Sequence, residues 1–504
     1  MNKVKCALLA TAIMAVLPFS QQFAHAQTVG LKDIYASRFL FGSILNGTTV
    51  NNNSMKQIVL REFNSITPEN ELKPDATIVA SGSTNADVKV QLNTSARAIL
   101  KFCEDNNIPV RGHTLVWHSQ TPGWFFRENF SASGAVVSKT VMNQRMESYI
   151  KNMFALIAKD YPKLNLYAYD VVNEASSESG GPRTAGSDAG SGQSMWVQVY
   201  GDNSFVEKAF EYARKYAPKT TKLYYNDYNE YISAKRNYIA NSIVKPLYDK
   251  GLLDGMGMQS HLDVRGGNDA YPSASDYGAA ITMYKNIGVE IQVTELDATV
   301  NNSNFTAQAT YYKNIMNEIL NKGGSAIKAV VVWGIQDNQS WRKDRNPLIF
   351  DNSGNKKSAY NELAKLIPES EWGKISSSSV AKSSSSVAPS SSSVAPSSSS
   401  SVRSSSSVTS SSSSTVRSSS SVAPSSSSAT PSSSSAVESS SSTDEISSSS
   451  EEVTPIAHYL PPVVNSKVPA YYTIKGEPVG NAKPAKPGVY LVKQGSSVQK
   501  IVVR

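Results

Sequence analysis

Leu166-Tyr167-Ala168-Tyr169-Asp170-Val171-Val172-Asn173-Glu174 is the stretch on which the fold turns. Aromatic and β-branched side chains fill most of it and polar ones close it, as in a strand that ends at a working surface. The amphipathic run Val141–Lys159 precedes it and another, Phe205–Tyr216, follows, each with apolar residues at three- and four-residue steps. A second strand-like run, Lys222–Asn226, comes next. Helix, strand, helix and strand in succession predict βα units around a parallel sheet.

Working outward, eight such runs are found: Phe39–Ser43, Ser65–Thr67, Val110–Trp117, Leu166–Asn173, Lys222–Asn226, Gly255–Ser260, Glu290–Thr294 and Ala329–Trp333. Helical patterns lie between several of them, Ala307–Asn321 being a further clear one. Eight strands with helical connections over about 345 residues favour an α/β fold of the (β/α)8 TIM-barrel type over a doubly wound sheet.

The remainder of the 504 residues reads differently. Residues 1–26 have the pattern of a signal peptide: Lys3 and Lys5, an apolar run from Ala7 to Val16, and Ala24-His25-Ala26 at the cleavage position. Their removal leaves Cys103 as the one thiol, expected to be a buried core residue, so no intramolecular disulfide is expected. No other apolar segment approaches the ~20 residues of a membrane span. Residues 376–452 are serine-rich repeats without one aromatic side chain, predicting a disordered linker with too little apolar surface to fold. The strand-like runs Ala470–Ile474, Gly488–Lys493 and Gln499–Val503 then predict a small C-terminal β-module within 453–504. The expected domains are therefore a leader (1–26), a barrel (27–375), a linker (376–452) and this module.

The net charge of +8 is equally uneven. Two lysines stand in the leader, and seven basic residues face Glu477 alone in the tail. That leaves 40 basic against 40 acidic residues elsewhere, which gives no case for nucleic-acid binding by the large domain.

In a barrel of this kind the chemistry sits at the carboxyl ends of the strands. Run four closes on Asn173-Glu174 and run seven continues Thr294-Glu295-Leu296-Asp297, so two glutamates would face each other across the barrel mouth. Cleavage of a glycosidic bond needs such a pair, a protonated acid for the leaving oxygen and a carboxylate for the anomeric carbon. A catalytic metal is not expected, for there is no His-Glu-x-x-His and no Cys/His cluster, although His113 and His118 lie near Glu174 in the motif order. Gly255-Met256-Gly257 lacks the third glycine of a dinucleotide site, and no Gly-x-Ser-x-Gly elbow occurs. No cofactor is implied.

Further motifs accompany the glutamates: Glu69-Asn70-Glu71-Leu72-Lys73, Gly112-His113-Thr114-Leu115-Val116-Trp117-His118-Ser119-Gln120, Tyr225-Asn226-Asp227-Tyr228, Gln259-Ser260-His261, Trp333-Gly334 and Ser340-Trp341. With these in order, residues 30–372 resemble glycoside hydrolase family 10, the retaining endo-β-1,4-xylanases. Pro74 departs from the tryptophan that many members place after the lysine. The resemblance implies that Glu174 is the general acid/base and Glu295 the nucleophile, that His261 bonds the nucleophile and that Asp297 orients His261. It implies that Asn173 bonds the sugar 2-hydroxyl, that His113 and Gln259 line the same subsite, and that Glu69, Asn70, Lys73 and Gln120 hold sugar beside it. Trp117, Trp333, Trp341 and Tyr228 would offer flat faces to sugar rings.

The expected substrate is xylan and its oligosaccharides, taken by a secreted or surface-associated monomer. Two other readings remain: a β-1,4-glucanase of the same barrel clan, which would not need Glu69, Asn70 and Lys73, and a polysaccharide-binding barrel without turnover. The tail's Lys475–Val479, Pro487–Lys493 and Lys500–Arg504 resemble the sorting domains of type IX secretion cargo, which implies contact with secretion machinery or the cell surface. A basic hairpin for acidic polymers and a xylan-binding module are the alternatives there.

Overall fold

The computed structural model describes residues 29–264, 270–301, 303–374, 470–473, 478–480, 484–486, 488–494 and 497–503. The expected leader and linker lie outside these residues.

Eight strands build the large domain: β1 (Leu40–Leu45), β2 (Ser65–Pro68), β3 (Val110–Gly112), β4 (Leu166–Asn173), β5 (Lys222–Asp227), β6 (Gly255–Met258), β7 (Glu290–Val300) and β8 (Ile327–Val332). Every neighbouring pair is parallel, β1 pairs with both β2 and β8, and β7 pairs with both β6 and β8. The sheet thus closes on itself as the expected (β/α)8 barrel.

A main helix follows each strand: α1 (Asn53–Glu62), α2 (Thr94–Asp105), α3 (Lys139–Asp160), α4 (Ser204–Tyr216), α5 (233–249, with a π-helical middle, Ile239–Val244), α6 (Ala274–Ile287), α7 (Phe305–Glu318) and α8 (Ser358–Ala364), with the short helices Pro74–Thr77 and Met195–Tyr200 beside them. Their starts are set locally. Asn52, Asn93, Ser138, Ser273 and Asn304 each accept a hydrogen bond from the main-chain N–H three residues on, occupying donors that the first turn leaves open. On α3, Met142, Met146, Tyr149, Ile150, Met153, Phe154 and Ile157 are buried at helical spacing. Each such side chain contributes roughly 1.5–3 kcal/mol when removed from water. Cys103 is buried on α2, and burial pushes its thiol pKa up, so it is held as an unreactive core group.

Two tyrosine rings fill space that two glycines vacate, Tyr169 on the outer face of the sheet against Phe154 of α3 and Tyr224 inside the barrel beside the Arg111 guanidinium. A Cβ on Gly112 would stand 2.3 Å from Tyr169, and one on Gly255 would stand 2.2 Å from Tyr224. Between the strands the buried Arg111 guanidinium pairs with Asp170 and donates to Gln292 Oε1 at 2.9 Å. This ionic cross-brace joins β3, β4 and β7 below the mouth.

Two strands differ from expectation by more than one or two end residues. Run three is broken, because residues 113–115 leave the ladder to reach Asp170: His113 Nδ1 lies 2.9 Å from its carboxylate, and Thr114 Oγ1 and the Leu115 N–H donate to its main-chain oxygen. Pairing resumes at Val116–Trp117, which lies beside Val172 and Asn173. Run seven extends past Thr294 to Val300, because a short strand after β6, His261–Val264, pairs with its upper half.

The carboxyl-terminal residues form a separate antiparallel sheet of β9 (Ala470–Thr473), β10 (Pro478–Gly480), β11 (Gly488–Gln494) and β12 (Ser497–Val503), in the order β10-β9-β11-β12. The strand β10 is additional to the expected runs. Tyr490 is buried and donates to the Lys486 main-chain oxygen at 3.0 Å.

Candidate active site

The ends of β3 to β8 converge on two carboxylates. Glu174 is the first residue beyond β4 and has φ +55°, a left-handed conformation that costs a non-glycine residue about 1 kcal/mol or more. Two main-chain bonds hold it there. Its N–H donates to the Asn226 oxygen at 2.8 Å, and its own oxygen accepts from Arg183 Nε at 2.5 Å. Trp117 Nε1 donates to Glu174 Oε2 at 2.9 Å, while Gln259 Nε2 and Asn173 Nδ2 donate to Oε1 at 2.9 and 3.2 Å. The Arg183 Nη2 stands 3.9 Å from Oε2.

Glu295 lies within β7, 5% exposed. Asn226 Nδ2 donates to its Oε1 at 2.8 Å, and His261 Nε2 lies 3.1 Å from its Oε2. Asn226 is itself fixed, accepting from Thr294 Oγ1 at 2.7 Å and donating to Asn173 Oδ1 at 2.9 Å. The other imidazole nitrogen, His261 Nδ1, is 3.0 Å from Asp297 Oδ2. Strand register explains this alignment. Glu295 and Asp297 are two residues apart on one strand and share a face, and His261 lies directly beside Asp297 in the parallel ladder.

The electrostatics follow from that geometry. Burial works against a charged imidazole, but Asp297 and Glu295 overcome it and hold the His261 pKa up at about 10. A doubly protonated ring donates at both nitrogens, which the neutral ring cannot do. Burial opposes ionisation of Glu295 as well; the His261 hydrogen bond and the His113 and His261 imidazoles outweigh it and bring the carboxyl below its usual range. Asp297 is likewise lowered against burial, by His261 and Arg342.

Beside Trp117 lies a polar group. Lys73 Nζ donates to Asn70 Oδ1 at 2.8 Å and to Gln120 Oε1 at 2.9 Å, and stands 4.9 Å from the centre of the Trp117 ring. Asn46 Nδ2 donates to Glu69 Oε2 at 2.7 Å. Burial draws the Lys73 pKa down against the surrounding carboxylates, and lifts that of Glu69 against the Asn46 hydrogen bond and the Lys73 ammonium. A depression of about 240 Å³ adjoins this group, lined by Asn70, Glu71, Asp75, Ala76, Asn93, Ser95 and Gln120.

The aromatic residues are not equivalent. Trp341 is 61% exposed with its ring centre 5.0 Å from that of His261, while Trp333 is buried between His113 and His261. One face of Tyr228 is already covered, by Lys235 Nζ at 3.5 Å from the ring centre. That lysine is fully buried and pairs with Asp227 at 3.0 Å.

Sequence reading assigned no role to Asn226, Arg183, Lys235 or Arg342. Asn226 and Asp227 had a usable signal, since they close a strand as Asn173 does. Among the described residues no group of three His, Cys, Asp or Glu side chains is disposed to hold a metal, and no helix is long and apolar enough to cross a membrane.

The large domain is similar to known proteins. The profile of glycosyl hydrolase family 10 matches residues 30–366. Endo-1,4-beta-xylanase Y of Acetivibrio thermocellus is 54% identical over 365 residues, which cover 69% of this chain and 33% of that protein. The bifunctional endo-1,4-beta-xylanase XylA of Ruminococcus flavefaciens is 45% identical over 341 residues, 67% of this chain and 34% of the relative. The chain thus spans about a third of the length of these curated relatives. Among solved structures, the CBM22-1 and GH10 modules of Clostridium thermocellum endo-1,4-beta-D-xylanase 10B, complexed with xylohexaose, superpose with a TM-score of 0.65 at 54% identity, covering 68% of this chain and 69% of that one.

Proposed function

The chain belongs to glycosyl hydrolase family 10, and we propose that it is a retaining endo-β-1,4-xylanase. The observation that carries this reading is the unlike setting of two glutamates at one barrel mouth. Glu295 is held ionised by His261 and Asn226, while Glu174 takes indole and amide donors. Relatives named as xylanases, and a similar structure that binds xylohexaose, support the choice of substrate.

In this reaction Glu174 gives its proton to the glycosidic oxygen as that bond breaks, and a Glu295 oxygen forms a bond to the anomeric carbon. His261 and Asn226 orient Glu295 for attack, and Asn173 meets the sugar 2-hydroxyl, a contact that tightens in the transition state. Glu174, now a carboxylate, then takes a proton from water as the water displaces Glu295 and frees the sugar. Trp117, Trp341 and Trp333 shape the space around the reacting ring, with His113 and Gln259 beneath it. Glu69, Asn70, Lys73 and Gln120 hold the neighbouring xylose and crowd the place where a glucose hydroxymethyl would project.

Reducing-sugar release from xylan, carboxymethyl cellulose and mannan tests the substrate. Xylan is expected to lead by at least about tenfold, the scale of roughly 1.4 kcal/mol in transition-state binding; comparable rates would favour a glucanase, and no release a binding barrel. Proton NMR of the first products tests the stereochemistry, with the β-anomer expected to appear first.

The reading extends to a secreted or surface-associated monomer, with 1–26 as leader, 376–452 as spacer and 453–504 as a sorting or attachment module. Removal of 453–504 in the native host is expected to leave the protein in the periplasm. Normal export combined with lost adsorption to insoluble xylan would make the tail a binding module instead.

A further inference from the structure

Asp297 is as well held on its outer side as on its inner one. Arg342, in the loop after β8, places Nη1 2.6 Å from Asp297 Oδ1. The same nitrogen donates to the Leu262 main-chain oxygen at 2.9 Å, and Nη2 donates to Thr299 Oγ1 at 3.1 Å. The adjoining Trp341 gives its indole N–H to Asp297 Oδ2 at 3.0 Å. The Arg342 side chain is only 12% exposed and Asp297 is fully buried, so solvent screens the pair weakly. From loop to strand the charges then alternate: Arg342, Asp297, His261, Glu295.

We infer that Arg342 is a positioning residue for catalysis: it fixes and charge-balances Asp297, so that His261 keeps both protons and Glu295 stays ionised. The inference rests on the roles proposed for Glu295 and His261. It also makes the loop that carries the exposed Trp341 ring part of the same electrostatic unit as the nucleophile. Without the guanidinium, Asp297, His261 and Glu295 together carry one uncompensated negative charge and bind their next proton more readily.

Among the described residues no other charge facing the cluster stands ready to replace it. Glu295 also faces His113, Glu174, Lys73 and Glu69, but Lys73 is committed to Asn70 and Gln120. Asp297 also faces Tyr312, whose hydroxyl donates to the Pro347 oxygen. Arg345, three residues beyond Arg342, pairs with Asp263 instead.

The test compares the pH dependence of kcat/KM for the full chain, R342Q and R342K, on whichever of an aryl xylobioside and an aryl cellobioside the wild type cleaves. Failure of the xylan reading then appears as a change of substrate, and failure of this inference as an unmoved acidic limb. R342Q is expected to move the acidic limb up by about one pH unit, about tenfold in rate on the acidic side, with a smaller loss on the plateau. R342K keeps the charge without the forked contact and should recover most of the limb. An unmoved limb in R342Q overturns the inference, as does an equal shift in both variants. A purely structural role would lower the plateau in both variants without moving the limb, and that result overturns it too.

Discussion

Two glutamates meet at the barrel mouth, one at the end of β4 and one within β7, and their surroundings have little in common. Glu174 is met by an indole and two amides, with a guanidinium 3.9 Å off. Glu295 is tied into an alternating chain of His261, Asp297 and Arg342. The side chains are identical, so the difference in the roles proposed for them comes from the donors around them, which at β7 keep the carboxyl charged.

The largest expected effect separates the two sites directly. Glu295→Ala should lose activity by a factor on the order of 10⁵ or more, on xylan and on an aryl xylobioside with an acidic phenol alike. Glu174→Ala should lose roughly 10²–10⁴ on xylan, yet keep much of its glycosylation rate on the activated substrate, where little protonation is needed. Stopped-flow release of the phenol measures this, with added azide restoring turnover in Glu174→Ala only. Equal losses on the aryl substrate would erase the distinction between the sites.

A smaller effect probes what makes the sites differ. In His261→Asn, Glu295 loses its cationic partner while Asp297 remains, so the acidic limb of kcat/KM should rise by about one pH unit or more. Gln259→Ala, on the Glu174 side, should lower the rate without moving that limb. A limb that moved in both variants would mean that the mouth titrates as one unit.

Stability gives the third comparison. The folded His261 pKa of about 10 stands above the ordinary imidazole value of 6.5. Its contribution is therefore full below about pH 6.5, declines as pH rises and is gone above about pH 10. Glu295 and Asp297 behave oppositely, stabilising above their unfolded pKa values and losing that support as pH falls through their lowered folded ones. Thermal melts between pH 7 and 10 should show a decline that His261→Asn lacks. The smallest effect belongs to the tail: deletion of 453–504 should change turnover on soluble xylan by less than about twofold, if the ends act independently.

Much of this was legible in the chain itself, for identifiable reasons. The Leu166–Asn173 run matches β4 at both ends because apolar side chains, mostly β-forming, fill it apart from Asp170 and the polar pair Asn173-Glu174 marks its end. Glu174 and Glu295 stood out because strand ends are where a barrel exposes polar groups, and His261 and Asp297 joined them through the motifs of the family resemblance. The break after Gly112 was hidden, since it depends on the buried Asp170 drawing residues 113–115 out of the ladder. The second half of β7 was hidden as well, because its partner strand begins only after Ser260 takes φ +64°. Nothing local marked Arg342: its contact with Asp297 spans 45 residues and is set by the path of a loop.

That eleven-residue β7 has a mechanical meaning. Paired first with β6 and then with His261–Val264, it works as a splint that carries Glu295 and Asp297 on a single braced rod. Glu174 stands just past the end of its own strand, on a hinge-like left-handed residue steadied by Arg183. Breathing of the mouth should then displace Glu174 while Glu295 stays still. Amide hydrogen exchange should accordingly be slow through 291–299 and faster at 174–176.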